Sequence, residues 1–314
     1  WIGLVGSEMC IRDSISGIRF FEVSSVKKAI FAIAIGEGNP MYQAAIDSFR
    51  VYAKRVGADL VISDKLHYPL AFNHPKYAAS PAWSEKMRIG ELLKEYDRVL
   101  YLDSDIVVKP DARDVFEQYA ELEAVYMLDE GMVVDRRPEV EGVCGILGEV
   151  PDWDKAGDMW CYYNVGVILI SNQCPLFEHA NLDDLQSICN EIPFYEQTYF
   201  NYLIQKHHIS HKSLSKDFNR MNIFGFNDYK QADFIHYAGR GYGKNGRKRE
   251  LGFVRDYCEF FADELTLKDI EYYKNTSWEF YLQRVFKKYH YLPKSILRFI
   301  CSVFQRKEQL GFSK

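Results

Sequence analysis

The chain has 314 residues, 47% of them hydrophobic and 15% aromatic, which is enough to bury a large α/β core. Its formal net charge of −5 argues against a general nucleic-acid binder, and no apolar run is long enough to span a bilayer. The seven cysteines (Cys10, Cys144, Cys161, Cys174, Cys189, Cys258 and Cys301) are scattered and lack zinc-ribbon spacing, so they read as reduced thiols of a cytoplasmic protein.

Residues 1–26 open with Trp1 and resemble translated adapter sequence. They lack the basic start and longer apolar stretch of a signal peptide. They read as a disordered or artefactual leader, which leaves the true start and any targeting signal missing. Ala29–Ile35 is a buried strand. Asn39 and Pro40 then stand as N-cap and first residue of a helix over 40–56, whose apolar positions recur at helical spacing. Gly57 ends it and Ala58–Ile62 is a second strand, giving a β-α-β unit with a parallel pair.

Residues 64–80 suggest a loop, and Ser80-Pro81 opens a helix predicted to run to about Tyr96. The next stretch, 98–108, ends a doubly buried strand in Asp103 and Asp105 before apolar residues resume. Unpaired buried carboxylates cost several kcal/mol or more, so a divalent cation is the simplest compensation; a solvated turn is the bland alternative. Asp111–Tyr119 reads as a short helix and Ala124–Leu128 as a strand. Residues 129–160 are rich in Gly, Pro, Asp and Glu and read as a long irregular connection.

Val165–Ile170 is a further buried strand, and 175–191 and 195–206 read as helices. Short strands follow at 209–214 and 234–237. The loop 239–252 is glycine-rich and basic, carrying Lys244, Arg247, Lys248 and Arg249, and 253–261 is helical. The tail, 263–314, interleaves basic and aromatic residues between Trp278 and Lys307, with Pro293 as a breaker. Two readings stand for 278–307: peripheral contact with an anionic membrane, or a helical appendage on the main domain with a solvated basic face.

Taken in order, these segments resemble the GT-A glycosyltransferases, family 8 and the related nucleotide-diphospho-sugar transferases. The resemblance covers about residues 27–262. It rests on Phe31-Ala32-Ile33-Ala34-Ile35-Gly36, Ser84-Glu85-Lys86-Met87-Arg88, Leu100-Tyr101-Leu102-Asp103-Ser104-Asp105, Tyr163-Asn164-Val165-Gly166-Val167, Glu196-Gln197 and Ile235-His236-Tyr237-Ala238-Gly239. It implies a Rossmann-like mixed sheet flanked by helices, with a C-terminal helical appendage. It implies a UDP-sugar donor, a glycan or glycolipid acceptor, and transfer of a hexose, galactose or glucose, with retention.

The resemblance also implies roles. Asp103, Asp105 and a neutral His236 would hold Mn²⁺ or Mg²⁺, a donor set that suits either ion. Ala32, Ile35, Lys86, Ser104, Gly239 and Lys244 would contact the nucleotide sugar, Ala32 and Ile35 through backbone beside uracil and ribose. Asn164, Glu196 and Gln197 would line the transferred sugar. Gly166 either allows a close approach or relieves crowding. Lys244 lies further from His236 than in the family pattern, and Glu196 stands where the family has Asp. The acceptor is expected on loops 64–80 and 129–160. A sugar nucleotidyltransferase is the alternative enzyme, but residues 36–42 lack its basic phosphate loop. A non-catalytic sugar-nucleotide-binding protein would have lost Asp103, Asp105 or His236, and all three are present.

Overall fold

The sheet grows outward from the first β-α-β unit. The computed structural model describes residues 26–36, 39–243 and 248–286, with 296, 299, 300, 302 and 303 beyond them. β1 (Lys28–Ile33) leads into α1 (Pro40–Val56) and back to β2 (Ala58–Ser63). Asn39 accepts from the Met41 amide at 3.0 Å, and Pro40 occupies a position whose N–H has no helical partner anyway. Gly57 closes the helix at φ 65°, a left-handed conformation that disfavours a Cβ. β1 and β2 pair in parallel, as the crossover requires.

The segment predicted as one helix to Tyr96 is instead a 3₁₀ helix (Pro81–Arg88) followed by a single α turn, α2 (Ile89–Leu92). The Ser84 hydroxyl donates towards the carbonyls of Pro81 (2.9 Å) and Tyr68 (2.5 Å). Such side chain to backbone bonds compete with the α-helical ladder. The tighter winding puts residues three apart on one face, Trp83 and Lys86 among them.

β3 (Arg98–Leu102) and β4 (Ile106–Val108) flank the acidic turn, and α3 (Val115–Gln118) and β5 (Val125–Asp129) follow. Residues 129–160 are not irregular throughout. They hold α4 (Arg137–Leu147) and a small hairpin of β6 (Lys155–Ala156) and β7 (Met159–Trp160). Pro138 sits in the first turn of α4, and Val140, Val143 and Cys144 turn inward at helical spacing. Its glycines and acids mask that period in the sequence. β8 (Tyr163–Ser171) comes next. The helix expected over 175–191 breaks into a 3₁₀ turn (Pro175–Glu178) and α5 (Leu182–Ile188), because the Asn181 side chain caps a fresh helix at the Asp184 amide. α6 (Tyr195–Lys206), β9 (His211–Ser213), β10 (Phe234–His236), α7 (Arg249–Phe260) and α8 (Leu267–Phe286) complete the order.

The main sheet has six strands in the order β2-β1-β3-β8-β5-β9. Only β8 is reversed, antiparallel to β3 and to β5. β4 and β10 form a separate antiparallel ribbon. This is the mixed α/β sheet flanked by helices expected from the resemblance. Alternation along β3 sends Leu100 and Leu102 into a core with Phe49, Tyr52 and Phe234, and Val99 and Tyr101 into the opposite core with Ile168, Tyr195 and Phe200. α8 lies against α1 and α7, with Tyr273, Trp278 and Leu282 buried. No helix among the described residues is long and apolar enough to cross a membrane. Most of 287–314 lies outside the described residues, as do 1–25.

β10 is held in place from one side by Arg220. Its backbone bonds both neighbours of Ile235: the Arg220 amide donates to Phe234, and the His236 amide donates to the Arg220 carbonyl, each at 2.9 Å. Its guanidinium is buried and donates to the carbonyls of Met221 (2.6 Å), Phe224 (3.3 Å), Gly225 (3.2 Å) and Asn227 (3.0 Å). Arg220→Met leaves those carbonyls unpaired and is expected to cost about 2–4 kcal/mol. The check is a lower urea midpoint at unchanged slope; an unchanged midpoint overturns the assignment.

Candidate active site

Two strand pairings build the centre of the site. β3 ends at Leu102, and the Asp103 amide donates to the Gly166 carbonyl at 2.8 Å. The Ser104 hydroxyl donates to the Ile33 carbonyl at the end of β1. β4 then pairs with β10 so that Ile106 faces His236, and the Tyr237 amide donates to the Asp105 carbonyl at 2.8 Å. Side chains far apart in sequence therefore meet. His236 Nε2 lies 3.1 Å from Asp105 Oδ1 and 3.9 Å from Asp103 Oδ2. Among the described residues, this is the cluster whose donor atoms, all within 4.8 Å of one another, could hold a metal ion.

The orientation of His236 is set by a chain of amides. The Gly166 N–H donates to Asn164 Oδ1 at 3.0 Å. That oxygen also accepts from Asn219 Nδ2 at 2.9 Å, which turns Asn219 Oδ1 towards His236 Nδ1 at 2.8 Å. An amide oxygen can only accept, so Nδ1 carries the proton and Nε2 faces the two carboxylates. A metal-binding histidine is commonly held this way by a partner behind it. Two carboxylates and such an imidazole fit Mn²⁺ or Mg²⁺. Gly166 has no alternative here: a Cβ would stand 2.4 Å from His236 Cε1 and 3.0 Å from Asp103 Oδ2. Crowding, rather than substrate approach, explains this glycine.

Charge is balanced by proximity rather than by solvent. Burial alone would lower the Lys86 ammonium pKa, but Asp103 at 3.4 Å and Glu196 at 3.0 Å outweigh it and raise the pKa. Burial likewise pushes Asp105 up, yet His236 and Arg249 beside it hold its pKa at about 2. Burial pushes His236 down, and Asp105 and Asp103 raise it further than burial lowers it. Tyr101, driven well above the usual phenol range chiefly by burial, stays a neutral donor to Asp103 Oδ1 at 2.5 Å.

The polar network continues along α6 and β8. Gln197 Oε1 accepts from Asn164 Nδ2 (3.1 Å) and the Val165 amide (3.3 Å), and Gln197 Nε2 donates to Glu130 Oε1 at 2.9 Å. Glu130 also accepts from Asn164 and pairs with Arg136 at 2.6 Å. Glu196 spends Oε1 on Lys86, while its buried Oε2 has no hydrogen-bond partner among the described residues.

The structure thus brings together Lys86, Asp103, Asp105, Asn164, Glu196, Gln197 and His236. Ala32 is fully buried inside β1, paired with strands on both sides, and Ile35 is half-buried two residues beyond the strand. Ser104 is used up on Ile33, and Arg88 reaches Ser63 at 3.2 Å. Gly239 adopts φ 58°, and its carbonyl accepts from Arg249 at 3.3 Å. Arg249, read as part of the basic loop, opens α7 with Nη1 3.3 Å from Asp105. Lys244 lies outside the described residues. Glu130 and Asn219 were not picked out in the sequence. Glu130 carried a usable signal, an acid just past a buried strand like Asp103; Asn219 carried none.

No protein-family model matches the chain, and no curated protein matches it in sequence. Several solved structures similar to it are glycosyltransferases. One is a glycosyltransferase involved in glycosylation of the major capsid of PBCV-1 (12% identity, TM-score 0.43, covering 73% of this chain and 99% of that one). Another is the bifunctional glycosyltransferase WbbM in its apo form (13% identity, TM-score 0.48, 80% of this chain and 52% of that one), so the present chain matches about half of WbbM's length. A third is the galactosyltransferase LgtC in complex with donor and acceptor sugar analogs (15% identity, TM-score 0.46, 76% and 97%).

Removing the support behind His236 gives a direct check on the metal assignment. Asn219→Leu is expected to weaken Mn²⁺ binding about 10- to 100-fold. The free-ion electron paramagnetic resonance signal reads this. Wild-type affinity in that variant sinks the assignment of Asn219.

Proposed function

We propose that this protein is a metal-dependent glycosyltransferase. In this reading it moves a hexose, galactose or glucose, from a UDP-sugar to a saccharide or lipid-linked acceptor, with retention of configuration. One observation carries the reading: the Asp103–Asp105–His236 cluster adjoins Lys86, which leads directly to Glu196 and the Asn164–Gln197–Glu130 network. The proposal keeps the catalytic domain at 27–262, the nucleotide contacts of Ala32, Ile35 and Gly239, and Lys244 on a loop over the phosphates. It also keeps peripheral membrane contact through 278–307 as a role for the tail.

Asp103, Asp105 and His236 Nε2 would hold Mn²⁺ or Mg²⁺. Bound there, the ion supplies Lewis-acid neutralisation of the departing nucleoside diphosphate. Lys86 adds a fixed positive charge held by two carboxylates, so it needs no reorganisation as the leaving group gains charge. Tyr101 keeps Asp103 oriented. Glu196 Oε2 offers a buried acceptor that a sugar hydroxyl can satisfy. Gln197 Oε1 already accepts two hydrogen bonds, which makes a poor nucleophile poorer. That favours attack on the same face as the leaving group. The acceptor oxygen bonds to the anomeric carbon, the bond to the diphosphate oxygen breaks, and that diphosphate takes the acceptor's proton.

Hydrolysis of UDP-galactose and UDP-glucose tests the reading. UDP release is expected with Mn²⁺ and is lost on chelation. Asp105→Asn should lower it at least ~100-fold while the thermal transition stays in place. Proton NMR of the first sugar released should show the donor's own anomer. Release that survives both chelation and Asp105→Asn refutes the proposed site.

A further inference from the structure

Phe194 is exposed to 43% on a backbone that a bulky side chain rarely adopts, φ 49° and ψ 48°. A non-glycine residue is strained there, so the surrounding structure must enforce it. The conformation stands the ring outside the first turn of α6, one turn ahead of Gln197. Trp83 lies beneath it, centroids 6.5 Å apart and planes at 29°. Trp83 is itself one 3₁₀ turn ahead of Lys86. The stack therefore lies three residues before Lys86 on one element and two before Glu196 on the other.

A second route ties the ring to the same polar network. The Arg136 guanidinium lies 5.0 Å from the Phe194 centroid, and Arg136 pairs with Glu130, which bonds Gln197. Met132 (65%) and Val133 (47%) are exposed in the turn that follows Glu130. From the other side, Phe72 packs on Tyr195 at 5.7 Å, and Tyr195 packs on Trp83 at 5.7 Å. Loops 64–80 and 129–160 thus meet at the start of α6.

We infer that Phe194 over Trp83 is the stacking platform of an acceptor subsite and that its occupant is a pyranose ring. A galactose or glucose ring has one face made of C–H groups, which are weakly positive and suit the negative face of an aromatic ring. The hydroxyls around that ring suit Arg136, whose guanidinium lies against Phe194 and pairs with Glu139 at 2.9 Å. A purely apolar partner would offer that guanidinium no acceptor. The inference rests on the glycosyltransferase reading above and assigns its acceptor to a place.

Saturation-transfer difference NMR with methyl β-D-galactopyranoside, methyl β-D-glucopyranoside and lactose provides the test. At least one of these should receive saturation on its ring C–H protons from the wild-type protein. Phe194→Asn removes the ring yet tolerates the left-handed backbone, and should lower that saccharide's affinity about 3- to 10-fold. Phe194→Tyr should restore it. Calorimetry with UDP and Mn²⁺ separates the two readings, since the variants should bind UDP as the wild type does. No transfer to any of the three saccharides, or transfer unchanged in Phe194→Asn, overturns the inference. So does joint loss of saccharide and UDP binding in that variant, which marks Phe194 as merely structural. Failure of the wild type to bind UDP overturns the glycosyltransferase reading itself.

Discussion

The amide proton of Gly166 can point in one direction only, because the strand holds it there. Asn164 must offer its oxygen, Asn219 must offer its nitrogen back to Asn164, and the remaining Asn219 oxygen must face His236. None of these side chains chooses its own orientation. A buried run of this kind is rigid when every member is satisfied and costly when one is not. The same residue supplies the space as well as the direction, since any side chain at 166 would meet His236 and Asp103.

The reversed strand is what makes that reach available. β1 and β3 run parallel and end at the same edge, where their carboxyl ends leave the acidic turn. β8 runs the other way, so its beginning, rather than its end, lies at that edge. Tyr163 to Gly166 are therefore neighbours of Asp103 although some sixty residues separate them. Asn164 looks from there to both halves of the site, to Asn219 and His236 on one side and to Gln197 and Glu130 on the other. The charged groups divide along the same line, with Lys86 shared between Asp103 and Glu196 at the junction.

Much of this was legible in the sequence. Asn39-Pro40 and Gly57 marked α1 because caps depend on local chemistry alone. Asp103 and Asp105 stood out because an apolar strand stopped at them. His236 was readable only through the order of the resembling segments, and the ribbon with β4 gave that order its physical basis. What stayed hidden depended on tertiary partners. The 3₁₀ winding before Ile89 follows from Ser84 bonding a loop residue, Tyr68. α4 escaped notice because its composition resembles a loop. Asn219 sits just past a short 3₁₀ turn, and nothing nearby in the chain announces what it will face.

The ribbon that carries His236 has a thermodynamic consequence. Two paired strands alone are barely stable in water, and β4 with β10 persists because Phe234 and Ile235 are buried and Arg220 ties the preceding loop down. Opening of this segment would detach His236 and release the Tyr237 amide from the Asp105 carbonyl. An ion that binds only the closed form must then also suppress the opening, by mass action. Affinity at one end of the ribbon and amide-proton protection along it draw on a single free energy. A core substitution at Phe234, distant in sequence from the carboxylates, would be felt first in the placement of His236 and only later as loss of the fold.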